Sequence, residues 1–276
     1  MQPSEIRSFC FSPTGTTRRV ASAIAQAVAA NGQPLETDLT HTEAPALTMS
    51  SDAVAILAAP VYGGHVPPLA LERLAGLRGN GTPAVIVAVY GNRAFEGAAA
   101  ELAAWAQRHG FRPIAAAAFV GEHSYSGPAT PIAAGRPDGQ DLAEAAAFGK
   151  RIREKLGRDD LGEIDARRLR APRTPLFPLL RFIGFVLAYL WRQRRQPATP
   201  APETDAARCT RCGSCATLCP TQAIAPGDEL HTDPQRCIRC CACVKGCPTG
   251  ARSYETPFAA ALSRNFSLRK PPVALL

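Results

Sequence analysis

The chain has 276 residues, of which 46% are hydrophobic, and it carries ten cysteines and a formal net charge of +8. That length suggests about two domains on a prior of roughly 150 residues each, and the apolar content excludes wholesale disorder. The opening MQPSEIRSF has no basic stretch followed by an apolar run, so neither a secretory leader nor a disulfide framework is expected; clustered cysteines in a reducing compartment, here the cytoplasm, are metal ligands or redox groups.

The first 150 residues alternate short apolar runs with helical patterns. Residues 6–11 read as a strand. A helix follows over 17–30, with Val20, Ile24 and Val28 at helical spacing and Asn31-Gly32 as its C-terminal cap. The continuous apolar runs at 53–59 and 83–89 suit strands buried on both faces of a parallel sheet. Helices are expected at 67–77 and 95–109, a fifth strand at 114–120 and a last helix at 141–156. Alternation of this kind predicts an α/β domain over 1–156, a doubly wound five-stranded parallel sheet.

After the first strand comes Ser12-Pro13-Thr14-Gly15-Thr16-Thr17, opening a helix. Backbone N–H groups and the dipole at a helix N-terminus favour an anion, and the hydroxyls can donate to phosphate oxygens. Taken alone, the loop reads equally well as an ordinary Ser/Thr helix cap. Its position decides for the anion, because ligands of open parallel sheets gather at the carboxyl ends of the strands. The stretch FCFSPTGTTRRVASAI resembles the flavodoxin phosphate-loop signature. That resemblance implies FMN, with Ser12, Thr14, Gly15, Thr16 and Thr17 around its phosphate. In flavodoxin-like proteins the loops after strands three and four flank the isoalloxazine ring. Here those loops bring Pro60, Val61, Tyr62, Gly63 and Gly64, then Tyr90, Gly91, Asn92 and Arg93. Tyr62 and Tyr90 are the candidate stacking rings. Gly121-Glu122-His123-Ser124 follows strand five on the same rim, and Gly135-Arg136-Pro137-Asp138 reads as a turn capping the last helix. His65, His123 and Cys10 are read as structural.

The basic excess lies in residues 150–196, which contain 13 Lys/Arg against 5 Asp/Glu and run from the end of the last helix into the connecting segment, 157–205. This placement suits an anionic surface better than a nucleic-acid-binding domain, and no nucleic-acid partner is expected. Within it, PLFPLLRFIGFVLAYLW (175–191) is strongly apolar and flanked by arginines. Seventeen helical residues reach only about 25 Å, short of a roughly 30 Å hydrocarbon core. The expectation is a helix over 175–195 that packs on protein or lies peripherally at the inner face of a membrane. QPATPAP (196–202) is a proline-rich linker.

Residues 206–256 contain C-x2-C-x2-C-x3-C-P twice, at an offset of 28 residues. Three closely spaced thiolates wrap one cubane, and the fourth cysteine, before proline, ligates the other cluster. One [4Fe–4S] cluster would take Cys209, Cys212, Cys215 and Cys247, and the second Cys237, Cys240, Cys243 and Cys219. A zinc site needs neither the third cysteine nor the one before proline. Cys241 is a spectator thiol. The repeat resembles bacterial-type two-cluster ferredoxins, and residues 257–276 give no clear signal.

The order of parts resembles the flavodoxin–ferredoxin fusions called ferrodoxins, through SPTGTT, PVYGG, VYGNR, EHS, GRPD and the doubled cluster motif. The resemblance implies FMN and two [4Fe–4S] clusters exchanging electrons with a redox partner protein or a small acceptor, through no side-chain acid–base constellation. Two alternatives stay open: an FMN-dependent reductase of an organic substrate, and a cluster-binding sensor or assembly subunit without flavin. Oligomeric state is not legible.

Overall fold

The apolar runs become strands, and Val54–Pro60 and Thr82–Tyr90 are buried at every position, as a sheet covered on both faces requires. The computed structural model describes residues 3–30, 32–195 and 201–276 and divides into two units. Asn31 of the expected cap and residues 196–200 of the expected linker lie outside the described residues. Unit 1 comprises the chain up to Glu122, Gly135–Pro172 and Arg269–Leu276; unit 2 comprises His123–Ala134 and Arg173–Leu268.

In unit 1 the elements run β1 (Ile6–Cys10), α1 (Thr16–Ala29), β2 (Leu35–Asp38), β3 (Leu47–Met49), β4 (Val54–Pro60), α2 (Pro68–Arg73), β5 (Leu77–Gly79), β6 (Thr82–Tyr90), α3 (Ala98–Arg108), β7 (Phe111–Val120) and α4 (Gly139–Leu156). The parallel strands lie in the order β2-β1-β4-β6-β7. Renumbered among themselves they read 2-1-3-4-5, the flavodoxin-like order. Helices α1 and α4 cover one face. Val20, Ile24 and Val28 of α1 and Phe148 and Ile152 of α4 share a core with Ile56, Val85, Val87 and Ala117 of the sheet.

One expectation needs correcting. The helix expected at 67–77 stops at Arg73, and Leu77–Gly79 instead pairs in parallel with β3. The second of the five expected strands, which the sequence pattern did not locate, is β2, with sequence LETD. It is a mostly exposed edge strand without an apolar run, and pairing with β1 specifies it.

Unit 2 contains α5 (Leu176–Arg195), β8 (Glu203–Thr204), α6 (Ser214–Thr217), α7 (Ala242–Lys245), β9 (Arg252–Ser253) and α8 (Pro257–Asn265). Its larger core joins Phe182 of α5 to Leu262 and Phe266 around Ile132, a residue of the loop that follows β7. The cysteine module is closed by antiparallel pairing of β8 with β9. Among the described residues no helix is long and apolar enough to cross a membrane.

The chain then returns to unit 1. Its tail, silent in the sequence, forms β10 (Val273–Leu275), antiparallel to β7 with Val273 opposite Ala118. The sheet therefore has the five expected parallel strands and a sixth, antiparallel one at its edge.

Candidate cofactor sites

The loop between β1 and α1 is built around Gly15, the N-cap residue, at φ 79°. L-residues pay about 1–2 kcal/mol to enter that left-handed region, so glycine suits it. The N–H of Gly15 donates to the Ser12 carbonyl at 3.0 Å, folding the loop back on itself. Ser12 is buried; its N–H donates to Thr40 Oγ1 at 3.0 Å, and its Oγ accepts from the Arg18 N–H at 3.1 Å. A hydroxyl oxygen that accepts still has its own proton to donate. The first-turn N–H groups of Thr16 and Thr17 have no intrahelical acceptor, as at any helix start. A Cβ built on Gly15 would meet nothing within 4 Å, so open space lies over the loop. The loop thus caps its helix and leaves open space in front of the first-turn N–H groups. Cys10, at the end of β1, is buried, and burial, then the Asp38 carboxylate, hold its thiol well above its ordinary value.

After β4, Tyr62 and His65 pair in a tight reversal, with Tyr62 N–H to His65 O at 2.9 Å and the reverse bond at 3.1 Å. Gly63 and Gly64 occupy its corners at φ 61° and 95°. Val66 N–H donates to Glu101 Oε2 at 2.9 Å, which ties the reversal to α3. Tyr62 is half-buried, and the position of a Cβ on Gly63 is open. Pro60 ends β4 and is buried; Val61 N–H donates to Val89 O at 2.9 Å.

After β6 the arrangement differs from expectation. Tyr90 is 2% exposed and its ring meets Phe95 edge-on at 5.4 Å, so it offers no open face for stacking. Burial pushes its hydroxyl up to about 12. Of the two candidate rings only Tyr62 keeps an accessible face. Asn92 is buried at φ 63°, Arg93 pairs with Glu96 at 2.5 Å, and Lys270 Nζ from the tail donates to the Arg93 carbonyl at 2.6 Å.

The tail and the start of α4 buttress this rim. Asp138 caps α4 in a reciprocal capping box with Asp141. The buried Arg136 pairs with Asp141 and donates to Lys270 O at 3.0 Å. Arg269 reaches Asp138 at 2.6 Å and Asp141 at 2.9 Å, and first its hydrogen bond, then the Asp141 N–H, hold the Asp138 carboxyl well below the usual carboxylate range. Sequence reading missed Arg269 and Lys270, because no local pattern marks a partner more than a hundred residues away. Of the later rim residues, Glu122 accepts from Gly135 N–H at 3.0 Å in unit 1, whereas His123 accepts from Tyr125 N–H at 3.0 Å in unit 2.

In unit 2 the two cysteine motifs fold alike. Each runs into a one-turn helix behind a left-handed residue, Gly213 at φ 74° and Cys241 at φ 58°, and Arg211 and Arg239 two positions earlier are left-handed as well. Cys209, Cys212 and Cys215 line, with Cys247 of the second motif, one open cleft. Cys237, Cys240 and Cys243 lie near Cys219 of the first motif: burial, then the charges of Cys243, Cys219 and Cys237, push the Cys240 thiol up to about 12. The small core here joins Cys215, Cys243 and Ile224. Donors reach several sulfurs: Ala223 N–H to Cys219 Sγ at 3.2 Å, and the hydroxyl of Ser214 lies 3.3 Å from Cys212 Sγ. Cys241 is buried, and its thiol donates to Arg239 O at 3.6 Å.

One residue here escaped sequence reading. Arg252 is 4% exposed and lines the same cleft. It donates to Thr204 Oγ1 at 2.8 Å, Glu229 O at 2.9 Å, Pro202 O at 3.3 Å and Thr232 Oγ1. Burial raises the Cys215 and Cys243 thiols, and the Arg252 charge opposes that rise at both. A single buried cation therefore acts on the third cysteine of each motif.

Residues 202–225 and 230–253 each match the family described as 4Fe-4S binding domain. No curated protein sequence matches the chain. Among solved structures, it is similar to a flavodoxin from the domain Archaea, at 15% identity over 56% of this chain and 99% of that one, with a TM-score of 0.38. It is similar to a Streptococcus pneumonia TIGR4 flavodoxin at 21% identity, over 53% and 96% of the two chains, with a TM-score of 0.38. For oxidised flavodoxin 1 from Bacillus cereus the values are 17%, 53%, 95% and 0.39.

Proposed function

We propose that the protein is an electron-transfer oxidoreductase that couples FMN to two [4Fe–4S] clusters and exchanges electrons with a redox partner protein or a small acceptor. The observation that carries this reading is the presence in one chain of two 4Fe–4S-type cysteine repeats and a 2-1-3-4-5 sheet whose first loop leaves open space in front of the first-turn N–H groups. One cluster is assigned to Cys209, Cys212, Cys215 and Cys247, the other to Cys237, Cys240, Cys243 and Cys219. The donor set fits: each group offers four thiols, and the first lines one cleft. Ser12, Thr14, Gly15, Thr16 and Thr17 are assigned to the FMN phosphate. Tyr62, Gly63 and Gly64, with Gly91, Asn92 and Arg93, are assigned to the ring.

When bound, clusters move single electrons and FMN takes one or two, so their union converts between the two kinds of redox chemistry. The residues' share is to bind, orient and tune. The loop after β1 holds an anion through neutral donors. The Tyr62–His65 reversal sets a half-buried ring over the rim. In unit 2 the buried Arg252 supplies positive charge, and Ala223 N–H and the Ser214 hydroxyl supply hydrogen bonds to sulfur, both of which favour the more negative, reduced state.

The test is anaerobic purification with iron, sulfide and flavin quantification and EPR of the reduced protein. About eight iron, about eight sulfide and about one FMN per chain are expected, from two [4Fe–4S] clusters and one flavin. Full iron loading with no flavin, and no uptake of added FMN, would leave a flavin-free cluster protein and remove this reading.

A further inference from the structure

Helix α5 has two apolar faces, and the protein uses one. Phe182, Phe185 and Tyr189 pack against α8 and the residues after it: Phe182 meets Phe266 at 5.0 Å, and Phe258 meets Phe185 at 5.1 Å and Tyr189 at 4.8 Å. Arg181, on the flank of that face, donates to Asn265 Oδ1 at 2.7 Å and the Arg264 carbonyl at 3.3 Å, fixing the helix's rotation. The other face points to solvent. Leu176, Leu180, Ile183, Leu187 and Leu190 recur at steps of four, three, four and three, and are 43–70% exposed. Phe177 and Trp191 extend this stripe at its two ends, at 72% and 57% exposure. Exposed leucines scattered singly need no explanation, but a continuous stripe of this length does.

The charge around the stripe selects what covers it. From Ala166 to Pro202 the sequence has eight arginines and no aspartate or glutamate. Arg173 precedes α5; Arg192, Arg194 and Arg195 close it, and the Arg195 guanidinium lies 3.9 Å from the centre of the Trp191 ring. A second copy of the helix is a poor occupant. Paired in parallel, the arginine-rich ends meet each other; paired antiparallel, Arg173 meets Arg192–Arg195, and no carboxylate on the segment neutralises either contact. A surface that is apolar below and anionic above answers both features at once. The helix is not long and apolar enough to cross such a layer.

We propose that α5 is a docking face for an anionic lipid bilayer. The helix lies along the surface, its leucine stripe enters the boundary of the acyl chains, and Trp191 with Arg192, Arg194 and Arg195 sits at headgroup level. This assignment does not depend on which cofactors the protein carries.

The experiment is co-sedimentation of the full-length protein, purified anaerobically, with vesicles of phosphatidylcholine alone or with one quarter phosphatidylglycerol. Partitioning onto the anionic vesicles is expected to exceed that onto neutral ones at least tenfold and to fall with added salt. Leu180→Glu and Leu187→Glu alter exposed positions, so iron content and circular dichroism should stay unchanged while binding drops more than tenfold. Replacing Arg192, Arg194 and Arg195 together by Gln should cost up to about a hundredfold on anionic vesicles, at roughly 1 kcal/mol per arginine, and little on neutral ones. In the unaltered protein, Trp191 emission should move to the blue on anionic vesicles and be quenched by brominated lipid; Trp105 is buried and supplies a constant background. Equal partitioning onto both vesicles, or an unshifted tryptophan spectrum, would overturn the proposal. So would lipid-free self-association that Leu187→Glu abolishes, or an acidic protein that masks the stripe while vesicles fail to bind.

Discussion

At Gly15 the backbone, not a side chain, sets the local geometry. Its φ of 79° lets the chain turn from β1 into α1 with donors facing open space. Gly15→Ala fits spatially but must enter the left-handed region, at about 1–2 kcal/mol. The expected result is FMN binding weakened roughly tenfold in a fluorescence-quenching titration of the flavin-stripped protein. Arg252 makes the opposite case: backbone is ordinary there, and charge is everything. Arg252→Met removes a buried cation from beside Cys215 and Cys243. With iron retained, midpoint potentials should fall by on the order of 50–100 mV, since about 1–2 kcal/mol of charge interaction is lost from a one-electron couple. Arg252→Lys should recover part of that shift, and EPR-monitored potentiometry reads both. The cysteine ligand candidates were legible from spacing alone, because a chain that wraps a small cluster must space its ligands closely. Arg252 was not, because its acceptors, Pro202, Thr204, Glu229 and Thr232, come from segments well removed in sequence. Tyr90 was misjudged for a related reason: its place at a strand end was visible, but Phe95 folding back over its ring was not.

At the level of elements, continuous apolar runs announced the buried strands β4 and β6, and the period of α1 announced its buried face. The edges were silent. β2 and β10 owe their existence to the neighbours they pair with, so composition alone could not mark them. The tail is held by Arg269 on Asp138 and Asp141. Because Asp138 titrates lower folded than unfolded, its contribution is complete above an unfolded value of about 3.9 and disappears as pH falls through the folded value. The pair is half-exposed and so screened by salt. Thermal scans from pH 7 to 2 should therefore show Arg269→Ala less stable than the parent near neutrality, with the gap closing in strong acid and shrinking in high salt. A gap that widens on acidification would mean the pair is not what holds the tail.

The whole molecule is two units whose chain segments interleave. The backbone leaves unit 1 after Glu122, lends twelve residues to unit 2, returns at Gly135, and goes back again after Pro172. If iron holds the cysteine module together, as metal does in small metal-dependent domains, chelation should release unit 2 and leave the parallel sheet folded. Calorimetry before and after anaerobic chelation should lose the unit 2 transition and keep that of unit 1. Loss of both at once would show that the 123–134 loop makes the units fold as a single cooperative body.

The antiparallel edge strand also sets an order of events at the ribosome. β10 covers the flank of β7, yet it is encoded after the whole iron-binding stretch, so during translation the nascent sheet waits with that flank bare. An unpaired flank of this kind is a template for pairing with other chains. Slow delivery of iron should thus not hinder closure of the sheet, but premature termination within unit 2 should yield a sticky fragment with a naked border.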